Sequence, residues 1–298
     1  MAFVGWRSRD RQAWGLLLPM LAIMLVVTGY PLVSTIRLAF TDTSLVGSHA
    51  GVSLVGLANF IHALSDPDFR QAILRSLYFA FVSVGVEVVL GVLVALLLNQ
   101  KFVGRAFVRT LIVLPWALPT IVNAMMWRLI YNPDFGSWNA LLTQLHLIDG
   151  YRSWLGDPGT VMNMVILADV WKNYPLVTLI VLAALQVIPQ ELYQAAALDG
   201  AGPWRQFWKI TFPEILGPLS VALMLRMIDA FKVFDIIFIM TRGGPADATK
   251  TVSFYVYQES FTYLRAGSGA AYAVVVGLMC AILILLYLML LRRQQRAA

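Results

Sequence analysis

Two stretches of this sequence, Trp14 to Ile36 and Ala266 to Leu291, contain no charged residue. At a rise of about 1.5 Å per helical residue, each can cross a hydrocarbon layer roughly 30 Å thick. Lipid offers no partner for a backbone amide, so such segments are expected to be helices. Further spans are expected at 76–98, 109–131, 161–187 and 214–240, which with 14–38 and 268–291 make about six crossings. The first segment is too long for a secretory signal, and no small-residue cleavage pattern follows it. With 59% hydrophobic and 13% charged residues and a mean hydropathy of +0.74, the composition excludes an ordinary soluble domain. The loops expected outside, 41–75 and 132–160, are too short to fold alone and no internal repeat is visible, so residues 1–298 are read as one all-α membrane bundle.

Basic residues accumulate on the cytoplasmic side of membrane proteins. With both termini inside, the cytoplasmic segments hold eleven of them, Arg7, Arg9, Arg11, Lys101, Arg105, Arg109, Arg205, Lys209, Arg292, Arg293 and Arg296. The external segments hold six, Arg70, Arg75, Arg152, Arg242, Lys250 and Arg265. Arg37, Arg128, Lys172, Arg226 and Lys232 fall in or beside spans. Both termini are therefore expected in the cytoplasm. The inner membrane surface accounts for the net charge of +6, and no nucleic-acid partner is implied.

Cys280 is the single cysteine and lies inside the last span. His49, His62 and His146 fall in loops, without metal-ligand spacing around them, so no metal site is expected. No GxxxxGK[ST] loop occurs, and no catalytic constellation lies in the spans, so any nucleotide hydrolysis belongs to another chain. Pro19, Pro31, Pro115, Pro119 and Pro175 interrupt the spans and predict kinks, tolerated where neighbours or a cavity satisfy the freed carbonyls.

The most informative segment is the loop expected at 188–213. Pro189 suits a first helical position, Glu191 a first turn, and Gly200 the residue past a helix end. Ala195, Ala196 and Ala197 leave a backbone that another protein could approach closely. A second short helix should follow, with Trp204, Phe207 and Trp208 on an apolar face and Arg205 and Lys209 near water.

Here the residues resemble the permeases of binding-protein-dependent carbohydrate-uptake ABC transporters, the maltose, trehalose and glycerol-3-phosphate class. Their signature is EAA, three residues, Gly, nine residues, Ile-x-Leu-Pro. Gln194-Ala195-Ala196, Gly200, Ile210 and Pro213 keep that spacing, with Gln194 for the glutamate and Phe212 for the leucine. Glu191 lies one helical turn before Gln194. Leu17-Leu-Pro19, Tyr30-Pro31, Val55-Gly-Leu57, Asn59-Phe60, Leu114-Pro-Trp116, Phe231-Lys-Val-Phe-Asp235 and Thr241-Arg-Gly-Gly-Pro245 extend the resemblance along the chain.

The resemblance implies a type I ABC importer permease fold in a bacterial cell membrane. The 188–213 loop would be a coupling helix seated in a cytoplasmic ATPase, with Glu191, Gln194, Ala195, Ala196, Asp199, Gly200 and Ala201 carrying the contact. The implied partners are a second, similar permease, two ATP-binding subunits that hold ATP and magnesium, and an extracytoplasmic solute-binding protein met by segments such as Gly243-Gly-Pro245. The resemblance also favours spans four and five for the sugar.

Polar groups inside the bilayer are costly against lipid and normally face a cavity or one another. The candidates are Glu87, Asn123, Trp127, Asp169, Lys172, Asn173, Tyr174, Arg226, Asp229, Lys232 and Asp235. Asp229 with Lys232, or Asp169 with Lys172, could neutralise each other at i, i+3. Asn123, Asn173 and Asp229 could instead bind sugar hydroxyls, with Trp127 stacking on a pyranose face. The expected substrate is a disaccharide of the trehalose or maltose kind. A glycerol phosphate or glycerophosphodiester cargo would recruit Lys172, Arg226 and Lys232. An ion-coupled secondary transporter using Glu87 or Asp169 would leave the docking loop without a purpose.

Overall fold

The computed structural model describes residues 4–45 and 53–297, and these are helical apart from loops and one isolated antiparallel bridge, Thr41 to Leu54. His49 lies outside the described residues, as do the side chains of Arg7, Arg9, Arg11, Arg292, Arg293 and Arg296. The chain divides into two compact units, residues 4–66 with Val256–Leu278, and Pro67–Tyr255 with 279–297.

The first unit is built on α1 (Val4–Met24), a π-helical turn (Leu25–Gly29) and α2 (Tyr30–Ala39), which run on without a break through Tyr30-Pro31. Pro31 sits in the first turn of α2, directly after the widened turn. The helix therefore loses little to the missing proline donor. Next comes α3 (Ala58–Ser65), where Asn59 Nδ2 donates to the carbonyls of Ala39 at 3.0 Å and Thr41 at 2.9 Å. The Asn59 amide thus closes the end of α2, giving the Asn59-Phe60 pair a structural role. Val256–Leu278 adds the start of the last helix, whose Ala270 and Ala271 pack on Ala39. Gly267 lies so close to the Thr41 carbonyl that a Cβ there would overlap it.

The second unit holds most of the buried interior. Its helices are α4 (Pro67–Asn99), α5 (Arg105–Ala117), α6 (Thr120–Ile130), α7 (Ser137–Gln144), α8 (Val161–Leu185), α9 (Gln190–Leu198) and α10 (Pro203–Gln206). A π-helical turn (Phe207–Thr211) leads into α11 (Phe212–Phe231), followed by α12 (Asp235–Met240) and α13 (Val252–Tyr257). A further π-helical turn (Gln258–Thr262) and α14 (Ala266–Ala297) complete the chain. The core is a trio, α4, α8 and α11, joined near one end by Ala95, Leu98, Val181, Leu185, Ile215 and Leu219. Gly91 lets α4 meet α8: a Cβ there would stand 2.6 Å from Val177 Cγ1. Small residues at such crossings replace the hydrophobic drive that lipid cannot supply.

Among the described residues, four helical segments are long and apolar enough to cross a membrane, Trp14–Ala39, Pro67–Asn99, Val161–Leu185 and Ala266–Met289, with α5 and α6 a fifth if taken as one span. The second span begins at Pro67, so Arg70 and Arg75, expected in a loop, lie on α4. The third is not merely kinked: α5 and α6 meet at 97°. Leu118 takes ψ 138° because the ring of Pro119 disfavours helix in the residue before it. The stretch expected as one span over 214–240 is two helices, broken at 232–234. Nor is the second short helix of the 188–213 loop separate, since α10 continues through the π turn into α11. There Phe212 N–H reaches back to Phe207 O, and Pro213, which has no N–H, follows in the first turn.

Candidate functional site

At mid-trio, one residue from each helix meets the other two. Arg226 on α11 donates through Nε to Glu87 Oε2 at 2.7 Å and through Nη2 to Glu87 Oε1 at 2.9 Å. The same Nη2 reaches Asp169 Oδ2 on α8 at 3.1 Å. Glu87 is fully buried on α4, and Arg226 and Asp169 nearly so. A guanidinium fork matches a carboxylate edge, so the pair fixes orientation as well as charge. Asn173, one turn further along α8, donates to Asp169 Oδ1 at 2.9 Å. The expected i, i+3 partner of Asp169, Lys172, makes no ion pair with it; Arg226 takes that place.

Asp169, Asn173 and Arg226 of this cluster line a cavity of about 490 Å³, with Glu87 outside the lining. Its walls come from Trp116 and Thr120 at the α5–α6 bend, from α8, and from the break between α11 and α12. The break is stabilised from outside the helix. Ser253 Oγ donates to Lys232 O at 2.8 Å and Thr251 Oγ1 to Val233 O at 3.0 Å, so the carbonyls released by the broken helix are satisfied. Ionisable side chains on the lining balance in sign, with Asp169, Asp229 and Asp235 against Lys172, Arg226 and Lys232. Asp229 and Lys232 pair at 3.1 Å, both about half exposed at 55%.

Seven of the residues singled out from the sequence, Asp169, Lys172, Asn173, Arg226, Asp229, Lys232 and Asp235, thus line one cavity. Asn123, Trp127 and Tyr174 do not. Asn123 is buried and donates to Ala168 O at 3.2 Å. Trp127 is buried between Tyr131 and Trp171, and Tyr174 lies on α8 away from the lining. The sequence reading missed Trp116 and Thr120 as lining residues. The Pro115 and Pro119 pair that brackets Trp116 was the available signal.

At the far end of the trio, α9 stands out from the core. Its N-cap is Pro189, and its C-terminus closes when Ala201 N–H donates to Ala196 O at 2.9 Å and Gly200 N–H to Ala197 O at 3.0 Å. Gly200 has φ +74°, the left-handed region in which glycine alone is unstrained. Tyr193 ties the helix down, its hydroxyl 2.9 Å from buried Thr211 Oγ1. Glu191, Gln194, Ala195, Asp199 and Gly200 are exposed, Ala196 and Ala201 half-buried, and Leu198 is 89% exposed. Trp204, Phe207, Trp208 and Phe212, which follow α9 in the chain, form one aromatic cluster of mostly edge-on and tilted rings.

Residues 87–296 match the family described as the inner membrane component of binding-protein-dependent transport systems. The chain belongs to this family. It is 40% identical over 243 residues to a trehalose/maltose transport system permease protein of Thermococcus litoralis, covering 81% of each chain. It is 32% identical over 286 residues to a sulfoquinovosyl glycerol transport system permease protein of Agrobacterium fabrum, covering 95% of this chain and 91% of that one. Among solved structures it superposes with a TM-score of 0.83 and 22% identity on a chain of a bacterial alginate ABC transporter in complex with an alginate-bound periplasmic protein, 98% of each chain being covered. That likeness establishes the fold of an ABC transporter permease.

Proposed function

We propose that this permease is one half of the membrane pathway of an ATP-driven importer for a neutral carbohydrate, a disaccharide of the trehalose or maltose kind. The sign balance of the central cavity carries the reading: three carboxylates face three cations. Such a surface offers donors and acceptors for hydroxyl groups while favouring neither sign of net charge on the cargo. Trp116 at the rim supplies an apolar face of the type on which a sugar ring stacks. The trehalose/maltose relative supports the substrate class. Asp169, Asn173, Arg226, Asp229 and Lys232 line the proposed route, with Asn123, Trp127 and Tyr174 behind it.

In this reading the chain crosses the membrane six times, α11 and α12 forming the charged crossing, and both termini and α9 face the cytoplasm. Glu191, Gln194, Ala195, Ala196, Asp199, Gly200 and Ala201 would present α9 to one of two ATPase subunits, which bind ATP and magnesium. Because α9 is held at both ends, through Tyr193 to Thr211 and through Gln206 Nε2 to Ala201 O at 3.0 Å, a push on it passes into α11 rather than being absorbed. A second permease completes the pathway, and a solute-binding protein delivers the sugar from outside, in keeping with the alginate-bound periplasmic protein in the complex of the alginate transporter.

The test is to reconstitute the chain with its partner subunits and binding protein and to measure which solutes stimulate ATP hydrolysis. Trehalose or maltose should do so. Stimulation by glycerophosphodiesters or a sulfonated glycoside alone would overturn the neutral-cargo reading.

A further inference from the structure

A second cavity, of about 480 Å³, opens where α8 gives way to α9. Its lining carries two cations, Lys101 and Arg105, and four side-chain amides, Asn99, Gln186, Gln190 and Gln194, but no carboxylate. Arg109, one turn beyond Arg105, points at the same place. Gln186, with its amide oxygen turned toward the guanidinium groups, accepts from Arg109 Nη2 at 3.0 Å and from Arg105 Nη2 at 3.2 Å. Two like charges therefore converge on one neutral oxygen. Nε of Arg105 and Nε of Arg109 are buried without an acceptor, and neither arginine nor Lys101 forms an ion pair among the described residues. Arg105 and Arg109 are half-buried, and cationic groups partly withdrawn from water are normally paired, so this arrangement calls for an anion from outside the chain.

The anion's chemistry follows from the surroundings. Arg105 is the first residue of α5, a helix of 13 residues, so the positive end of its dipole adds to the three cations. The loop before it and the outer faces of both flanking helices are apolar and exposed at Leu97, Phe102, Val103, Phe107 and Leu111. A cationic cavity bordered by lipid-facing side chains at the end of a span fits the headgroup of an acidic lipid, whose acyl chains would lie along those residues.

We propose that this cavity binds a phosphate ester, supplied by an anionic phospholipid such as phosphatidylglycerol at the inner membrane surface. The choice of leaflet rests on the orientation given above for α9; the binding itself does not. A soluble phosphate ester shares the chemistry, and the experiment separates the two sources.

The full-length chain would be purified in detergent, exchanged into mixed micelles of equal phosphatidylglycerol and phosphatidylcholine, and its retained lipids counted by native mass spectrometry. Wild type should retain phosphatidylglycerol in preference. K101Q should lower that preference about fivefold, and R105Q/R109Q more than about tenfold. Lys101 is exposed, so K101Q tests the site without a folding risk, and R105K/R109K should keep part of the preference. Inorganic phosphate and glycerol 3-phosphate at millimolar concentration should leave the lipid bound. Displacement by glycerol 3-phosphate, absent in R105Q/R109Q, would keep the phosphate site and assign it to a soluble ester. Equal retention of both lipids by wild type and all variants would overturn the proposal. So would variants that release the ATPase subunits from the assembled transporter with lipid retention unchanged, because a protein carboxylate would then fill the cavity. Lipid counting needs no transport, so its failure is distinguishable from failure of the importer reading.

Discussion

Arg226 and Asp229 stand three residues apart on α11, yet they belong to different worlds. Arg226 is buried in a three-helix ion cluster with its guanidinium held by two carboxylates, whereas Asp229 and its partner Lys232 sit half exposed at the rim of the cavity. In the first place a charge is locked by complete pairing, because a lone ion in that setting costs several kcal/mol. In the second, water or a polyhydroxylated ligand can replace the partner, and the pair is worth at most about 1 kcal/mol. Closely spaced charges on one helix can therefore divide between holding helices together and handling cargo, and burial makes the division.

The severest test of that division is R226M. It leaves Glu87 and Asp169 buried side by side without a counter-charge and should destabilise the protein by about 3–5 kcal/mol. A much lower melting temperature in detergent and poor recovery from membranes are expected. Replacing all three members by apolar residues of similar volume should restore much of the loss, since removing a whole buried ion cluster is often neutral or stabilising. If R226M melted like wild type, the cluster would not be what joins α4, α8 and α11.

Next in size comes a variant that touches neither group. G200V puts a β-branched residue at φ +74°, where nothing crowds the new side chain but the backbone itself is strained. Uptake by the reconstituted transporter should fall to background, while melting shifts far less than in R226M. Normal uptake would remove α9 from the coupling path.

How much of this was legible beforehand depended on whether the signal was local. The spans, the proline break near residue 117 and the capped helix at 190–198 are written in consecutive residues, through apolar length, the Pro-x-x-x-Pro spacing and the Pro189 to Gly200 frame. The ion cluster is not local, because Glu87 and Arg226 are 139 residues apart in sequence. Sequence spacing suggested Asp169 with Lys172 and could not show that the packing of α11 against α8 brings Arg226 to Asp169 instead. Nor does Phe231-Lys-Val-Phe-Asp235 contain proline or glycine to announce a break. That break depends on hydrogen bonds that the Thr251 and Ser253 hydroxyls donate to its carbonyls from 18 and 21 residues further along the chain.

Within the rim itself, D229N should act on cargo and hardly on the fold. A hydrogen bond between a charged group and a ligand hydroxyl is worth about 1.5–3 kcal/mol, so its loss should raise the half-saturating sugar concentration about tenfold or more. Measured with trehalose or maltose on the reconstituted transporter, this change should appear without a shift in melting beyond that of an exposed pair. A lowered melting temperature with unchanged affinity would reverse the assignment and move Asp229 to the structural side.

The smallest expected effect comes from exchanging the partners, D229K/K232D. The cavity keeps three charges of each sign, and the i, i+3 pair can re-form in the opposite sense at a cost of a few tenths of a kcal/mol. Melting should be indistinguishable from wild type. Uptake of a neutral disaccharide should fall only a few-fold, less than in D229N, if the balance of sign matters more than the place of each charge. A loss as deep as that of D229N would show that the Asp229 carboxylate binds the sugar at a fixed position. Rim charge would then be as specific as the buried cluster, through ligand geometry rather than helix packing.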